Sequence, residues 1–124
     1  MSLPKRSTFH AAKSESPTID DIRDLELFGG LTTETLQSIC ENSTIYEIDA
    51  HQHLETTRDG INYLYVILEG YVTAWRPSCF DPSEPYFLAW RGPNQIIGEM
   101  RAIGTERNLT RFSTCDSCRL LEIP

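Results

Sequence analysis

Glu99 and Arg107 are the side chains in this sequence whose types and spacing best suit a ligand. They border Gly98-Glu99-Met100-Arg101-Ala102-Ile103-Gly104, where Met100, Ala102 and Ile103 fit a single turn of helix better than a strand. The start of a helical turn leaves backbone N–H groups unpaired, and such groups favour an anion. An arginine takes a phosphate in a charge-assisted pair, and a carboxylate accepts a hydrogen bond from a ribose 2′-hydroxyl. A ligand carrying both groups would use Arg107 for the first and Glu99 for the second. Gly98, without a Cβ, would let the backbone approach it. The alternative for the same two side chains is a plain salt bridge that ties this segment to its surroundings.

Two further motifs invite chemistry and lack the partners for it. Cys115-Asp116-Ser117-Cys118 is a lone CxxC. A zinc ribbon needs a second pair, and no βαβ context suggests a redox centre. The reading is an ordinary buried Cys118 and a loop Cys115, with Cys40 and Cys79 also reduced. His51-Gln52-His53 would put two imidazoles on one strand face, within reach of one metal. The acidic ligand that should follow is replaced by Thr57 and Arg58, and the remaining histidine, His10, lies far upstream. Strand histidines facing solvent, and no metal, are expected. No nucleophile–base pair, phosphate loop or catalytic carboxylate pair can be assembled, so a binding protein is expected rather than an enzyme.

These residues need a scaffold, and the composition supplies one. The chain has 124 residues, of which 40% are hydrophobic and 23% charged, enough for one packed domain. The longest apolar run, Tyr63-Leu64-Tyr65-Val66-Ile67-Leu68, is too short to span a bilayer, and the first fifteen residues hold no signal-peptide core. A cytoplasmic protein without a membrane role is expected. The net charge of −7 argues against direct nucleic-acid binding. Its distribution is uneven: Glu15 to Asp59 holds eleven acids and two bases, whereas Pro85 to Pro124 holds five arginines against four acids. An anion, if bound, belongs in the second half.

Residues 1–15 are polar and aperiodic and read as a flexible tail. Thr18 caps a helix with Asp21 as its reciprocal partner, and Ile19, Ile22 and Leu25 form its apolar face up to Phe28-Gly29-Gly30. Thr32 caps a second helix that buries Leu36, Ile39 and Cys40. From Thr44 the pattern turns to short strands: 44–48, 53–56, 64–68, 71–76, 86–91, 94–97, 111–114 and 119–123. Trp75, Phe87 and Trp90 lie in these strands, as core or as sheet surface. Eight strands at this spacing indicate a mainly β, antiparallel jelly roll, a double-stranded β-helix, with N-terminal helices and one short helix near residue 100.

Several segments, in order, resemble the cyclic nucleotide-binding domain of catabolite-activator-type regulators, kinase regulatory subunits and cyclic-nucleotide-gated channels. Leu27-Phe28-Gly29-Gly30-Leu31-Thr32 resembles its opening, and residues 64–72 its central hairpin, with Gly70 at the tight turn. Residues 92–100 resemble the segment entering its phosphate-binding cassette, and Arg107-Asn108-Leu109-Thr110 the phosphate-gripping motif. The resemblance implies a regulatory domain over residues 16–124 that binds cAMP or cGMP as a ligand, with no cofactor. It implies that Glu99 holds the ribose hydroxyl and Arg107 the cyclic phosphate. Gly98, Met100 and Asn108 would offer contacts, and Ile97 and Leu109 would wall the sugar and base. Asn108 matches neither residue that sets base preference in the family, so adenine and guanine stay open. The family continues into a helix that acts as a lid over the base; the sequence to Pro124 does not include it, so weak affinity is expected. An effector domain or a second copy would receive the signal. The alternative is a degenerate domain of the same fold, working as a ligand-free interaction or dimerisation module.

Overall fold

The cap expected at Thr18 forms, but the helix behind it is a single turn, α1 (Ile19–Ile22), in the computed structural model, which describes residues 11–58, 60–76, 86–98 and 111–124. The Thr18 backbone N–H and hydroxyl both donate to the Asp21 carboxylate, at 2.7 and 3.0 Å. The backbone bond is the chief reason that this carboxyl titrates below its ordinary range. The expected continuation to Phe28 is corrected: Leu25 is extended, and the chain resumes as a 3-10 turn, Glu26–Phe28. The break lets Ile22 and Phe28 both reach the core. Helix α2 (Thr33–Asn42) follows, with the Thr32 hydroxyl accepting the Thr35 N–H at 3.2 Å and Leu36 and Cys40 buried.

Eleven strands are present among the described residues. They are β1 (Ala11–Glu15), β2 (Thr44–Ile48), β3 (His53–Leu54), β4 (Thr57–Arg58), β5 (Ile61–Asn62) and β6 (Leu64–Glu69), then β7 (Val72–Arg76), β8 (Tyr86–Arg91), β9 (Ile96–Ile97), β10 (Arg111–Thr114) and β11 (Cys118–Ile123). All eight expected strands are among them, some shortened. Three are additions. The reading of residues 1–15 as a tail fails at 11–15, because β1 pairs antiparallel with β2 from Ala11↔Ile48 to Glu15↔Ile45. The Arg119 guanidinium adds a 2.7 Å bond to the Glu15 carboxylate. β4 and β5 pair antiparallel as a small hairpin, with Gly60 at φ +79° just before β5.

The larger strands form two antiparallel sheets, ordered β1-β2-β11-β6-β9 and β3-β10-β7-β8. Between them lies one core cluster, which includes Ile48, Tyr65, Ile67, Val72, Ile97, Phe112 and Leu120. The helices cover the other face of the first sheet, where Ile45, Val66 and Leu121 meet Ile22, Phe28, Leu36 and Cys40. Covering both faces explains why β6 reads as an unbroken apolar run: Tyr65 and Ile67 face the second sheet, and Val66 faces the helices. The result is a mainly β antiparallel roll with N-terminal helices. No helix among the described residues is long and apolar enough to cross a membrane.

Candidate functional site

β9 is two residues long, and the turn before it decides where the following segment starts. Asn94 adopts φ +69°, its N–H donates to the Ile67 carbonyl at 2.8 Å, and the Ile67 N–H donates to the Gln95 carbonyl at 2.9 Å. The Gln95 side chain accepts the Gly92 N–H at 2.5 Å. This pinned turn sets Ile97 opposite Tyr65 and Ile96 opposite Val66. Ile97 is fully buried between the sheets, so the chain leaves β9 from inside the roll.

Gly98 comes next, at φ +94°. A Cβ on it would lie 2.6 Å from the Tyr63 carbonyl oxygen and 3.3 Å from the Thr56 methyl. Both the conformation and the contact therefore require glycine. The close approach seen here is to the protein's own backbone. Glu99, Met100, Arg107, Asn108 and Leu109 lie outside the described residues, as does the short helix expected after Gly98. Of the expected site, the structure places the entry, Ile97 and Gly98, at the inner edge of the first sheet.

The same end of the roll holds a buried polar pair that the sequence reading did not single out. The fully buried Tyr65 donates its hydroxyl to the Glu122 carboxylate at 2.7 Å, and that hydroxyl is 3.4 Å from the Glu55 carbonyl. Glu122 is only 6% exposed. Tyr65 pairs with Glu122 on one side and with Ile97 on the other, so the pair stands one strand away from the site's entry. A signal was present: Cys118, Leu120 and Glu122 share one face of a period-two strand, which puts an acid where core is due.

The other motifs fall into place around the roll. His51 precedes β3 in a left-handed turn (φ +63°) rather than sharing a strand face with His53. The His53 ring lies 3.3 Å from the Ser113 hydroxyl. The turn is held by buried Thr114, whose hydroxyl donates to the Asp49 carbonyl at 2.6 Å and accepts the Gln52 N–H at 2.9 Å. Cys118 is buried and donates towards the Tyr71 carbonyl at 3.3 Å; burial pushes its thiol up to about 11. Cys115 is partly exposed, and Cys40, Cys115 and Cys118 are free thiols. Phe87 and Trp90 are sheet surface. Arg119 is committed to Glu15, with Glu69 at 3.9 Å. An open groove of about 420 Å³ on the helical side is lined by Glu26, Leu27, Arg91, Asn94, Gln95 and Ile96.

No family model and no curated protein sequence matches the chain. Solved structures do. A cyclic nucleotide-binding-like protein from Brucella abortus is 21% identical, with a TM-score of 0.63, over 85% of this chain and 88% of that one. A regulatory subunit of a cAMP-independent protein kinase A from Trypanosoma brucei, a mutant bound to cAMP in the A site, is 14% identical with a TM-score of 0.73. The match covers 85% of this chain and 38% of that one. The corresponding subunit from Trypanosoma cruzi, bound to guanosine, is 16% identical with a TM-score of 0.72, over 85% of this chain and 37% of that one. This chain thus spans little more than a third of either kinase subunit.

Proposed function

We propose that this chain, which has the fold of the cyclic nucleotide-binding domains, is a regulatory sensor that binds a cyclic mononucleotide, cAMP or cGMP, without transforming it. The observation that carries the reading is the exit of β9: fully buried Ile97 and glycine-requiring Gly98 start the next segment inside the roll. Glu99 and Arg107, the carboxylate and the guanidinium that the ligand chemistry asks for, follow in that segment. The fold match to a kinase regulatory subunit whose mutant form was solved with cAMP supports it.

In the mechanism, the Arg107 guanidinium pairs with the cyclic phosphate through two parallel N–H···O bonds, and Glu99 accepts the ribose 2′-hydroxyl. Met100 and Asn108 add contacts, and Ile97 and Leu109 exclude water from the sugar and base. Binding contributes to signalling only through a difference in affinity between two states of the protein, which an attached effector domain or a partner would read. A ligand-free interaction module is the second reading. The trypanosomal neighbours, described as cAMP-independent and in one case bound to guanosine, mean that the fold alone does not entail a cAMP response.

Calorimetry with cAMP, cGMP and guanosine separates the two. The sensor gives saturable heat with a cyclic nucleotide, and Arg107→Ala weakens the binding free energy by about 2–5 kcal/mol. Absence of heat with all three at millimolar concentration, for a folded chain, supports the ligand-free module. Binding of guanosine alone would remove the phosphate role from Arg107.

A further inference from the structure

The two larger sheets turn different faces to solvent. The helices cover the outer face of the first, whereas the outer face of the second carries a row of aromatic rings. Strand alternation puts them there. Val72, Ala74, Phe112 and Thr114 are buried, and Thr73, Trp75, Arg111 and Ser113 lie between them on the outer side. Trp75 pairs with Phe87 and Thr73 with Trp90, so Phe87 and Trp90 join that face. Trp75 packs edge-on against Phe87 at 5.5 Å, Phe87 against Trp90 at 5.8 Å, and Tyr71 against Trp90 at 6.4 Å. Trp90 is 54%, Tyr71 49% and Phe87 42% exposed. Trp75 donates its indole N–H to the Thr73 hydroxyl at 2.9 Å; among the described residues nothing accepts that of Trp90. Charge is segregated in the same way. The four strands of this sheet hold three arginines (Arg76, Arg91 and Arg111) and no Asp or Glu, in a chain whose net charge is −7. Arg111 stands beside the row, opposite Trp75 in register. The Asp116 carboxylate, at the Tyr71 end, is turned to the Tyr71 N–H at 2.9 Å.

We propose that this face lies against the headgroup layer of a zwitterionic phospholipid bilayer, as a peripheral contact. Trp and Tyr rings concentrate where a bilayer meets water, because each has an apolar body and a polar handle. Neighbouring rings stand at 63–84° to one another, which gives no flat platform for stacking a base or a sugar. Area separates a lipid from a protein partner. Three half-exposed rings supply roughly 300 Å², well short of the roughly 800 Å² per partner of a stable protein interface. A lipid surface has no shape to match, and its binding grows with the apolar area inserted, so a patch of this size gives weak, reversible association. A carboxylate on the face would have to shed water at the apolar boundary. The strands of this sheet contain none, and the Arg111 guanidinium is placed to pair with a lipid phosphate. The net charge of −7 favours a zwitterionic surface over an anionic one. The shortness of the longest apolar run bears on crossing a membrane and not on lying against one.

Trp75 and Trp90 are the two tryptophans of the chain, so its intrinsic fluorescence reports on this face. Titrating the full chain with phosphatidylcholine vesicles, up to about 10 mM lipid, should give a saturable blue shift and co-sedimentation with the vesicles. Trp90→Ser and Phe87→Ser, both at exposed positions, should each weaken the apparent lipid affinity about fivefold or more with unchanged melting. Trp75 remains as the reporter in both. Arg111→Gln should weaken it by a smaller factor. Leu27→Ser, at an exposed apolar position on the helical side, should leave it unchanged. Neither a shift nor co-sedimentation at the highest lipid concentration overturns the inference. Lipid binding that survives both ring substitutions, or that Leu27→Ser weakens as much, overturns it too. A single-stranded oligonucleotide that quenches the tryptophans where vesicles leave them unmoved would give the face to nucleic acid instead.

Discussion

Tyr65 and Glu122 hold each other inside the roll, and their pairing sets the expectation for single substitutions there. Tyr65→Phe keeps the ring in place and removes the hydroxyl that Glu122 accepts at 2.7 Å. A charge-assisted bond lost at a buried carboxylate should cost about 1–3 kcal/mol, read as a lower urea midpoint with an unchanged slope. The Cys118 thiol makes a pH prediction. Burial is the main cause of its shift from 9.0 to about 11, so folding favours the protonated form. Its contribution to stability is complete below about pH 9 and is lost as the pH rises towards about 11. Cys118→Ala should flatten that alkaline decline, and in the native protein at pH 8 Cys115 should react with a thiol reagent well before Cys118. Cys118 was readable as a core position from the apolar alternation of its strand. Glu122 shares that alternation but belongs to a residue type that pattern reading assigns to solvent.

At the scale of elements, the turn between β6 and β7 is a tightly constrained joint. Gly70 has φ +91°, and a Cβ there would lie 2.7 Å from both Cys118 Sγ and the Ser117 carbonyl. Gly70→Ala therefore combines a left-handed backbone with overpacking and should cost about 2–4 kcal/mol in equilibrium unfolding. This joint was legible, because Glu69-Gly70 separates two strong strand patterns. β1 was not: Ala-Ala-Lys-Ser-Glu has neither alternation nor β-branched residues, and it becomes a strand through backbone pairing with β2. Its ion pair is partly exposed, so Glu15→Ala should change stability by less than about 1 kcal/mol. A chain beginning at Ser16 should melt lower than the Glu15→Ala chain, because it leaves the whole edge of β2 unpaired. Equal melting of the two would mean that the ladder contributes nothing. The helix at Thr18 was right in its cap and too long in its extent, since Leu25 turns extended to carry Phe28 into the core.

At the scale of the molecule, eight strand patterns and two capped helices were enough to give an antiparallel roll, because periodicity reports which faces are buried. The strand count was not, because two-residue pairings such as β4 with β5 leave no periodic trace. Of the proposed site, the sequence offers Glu99 and Arg107, which lie outside the described residues, and the structure describes Ile97 and Gly98 just before them. The central claim is that a cyclic nucleotide occupies the roll next to β9. Titrating cAMP and cGMP into the isotopically labelled chain, with backbone amide spectra as the readout, tests it residue by residue. The account predicts saturable shifts at Ile97, Gly98 and the amides from Glu99 to Leu109 with one or both nucleotides, and their loss in a folded Arg107→Ala chain. Unmoved spectra at millimolar nucleotide, or shifts confined to surfaces away from β9, would contradict it.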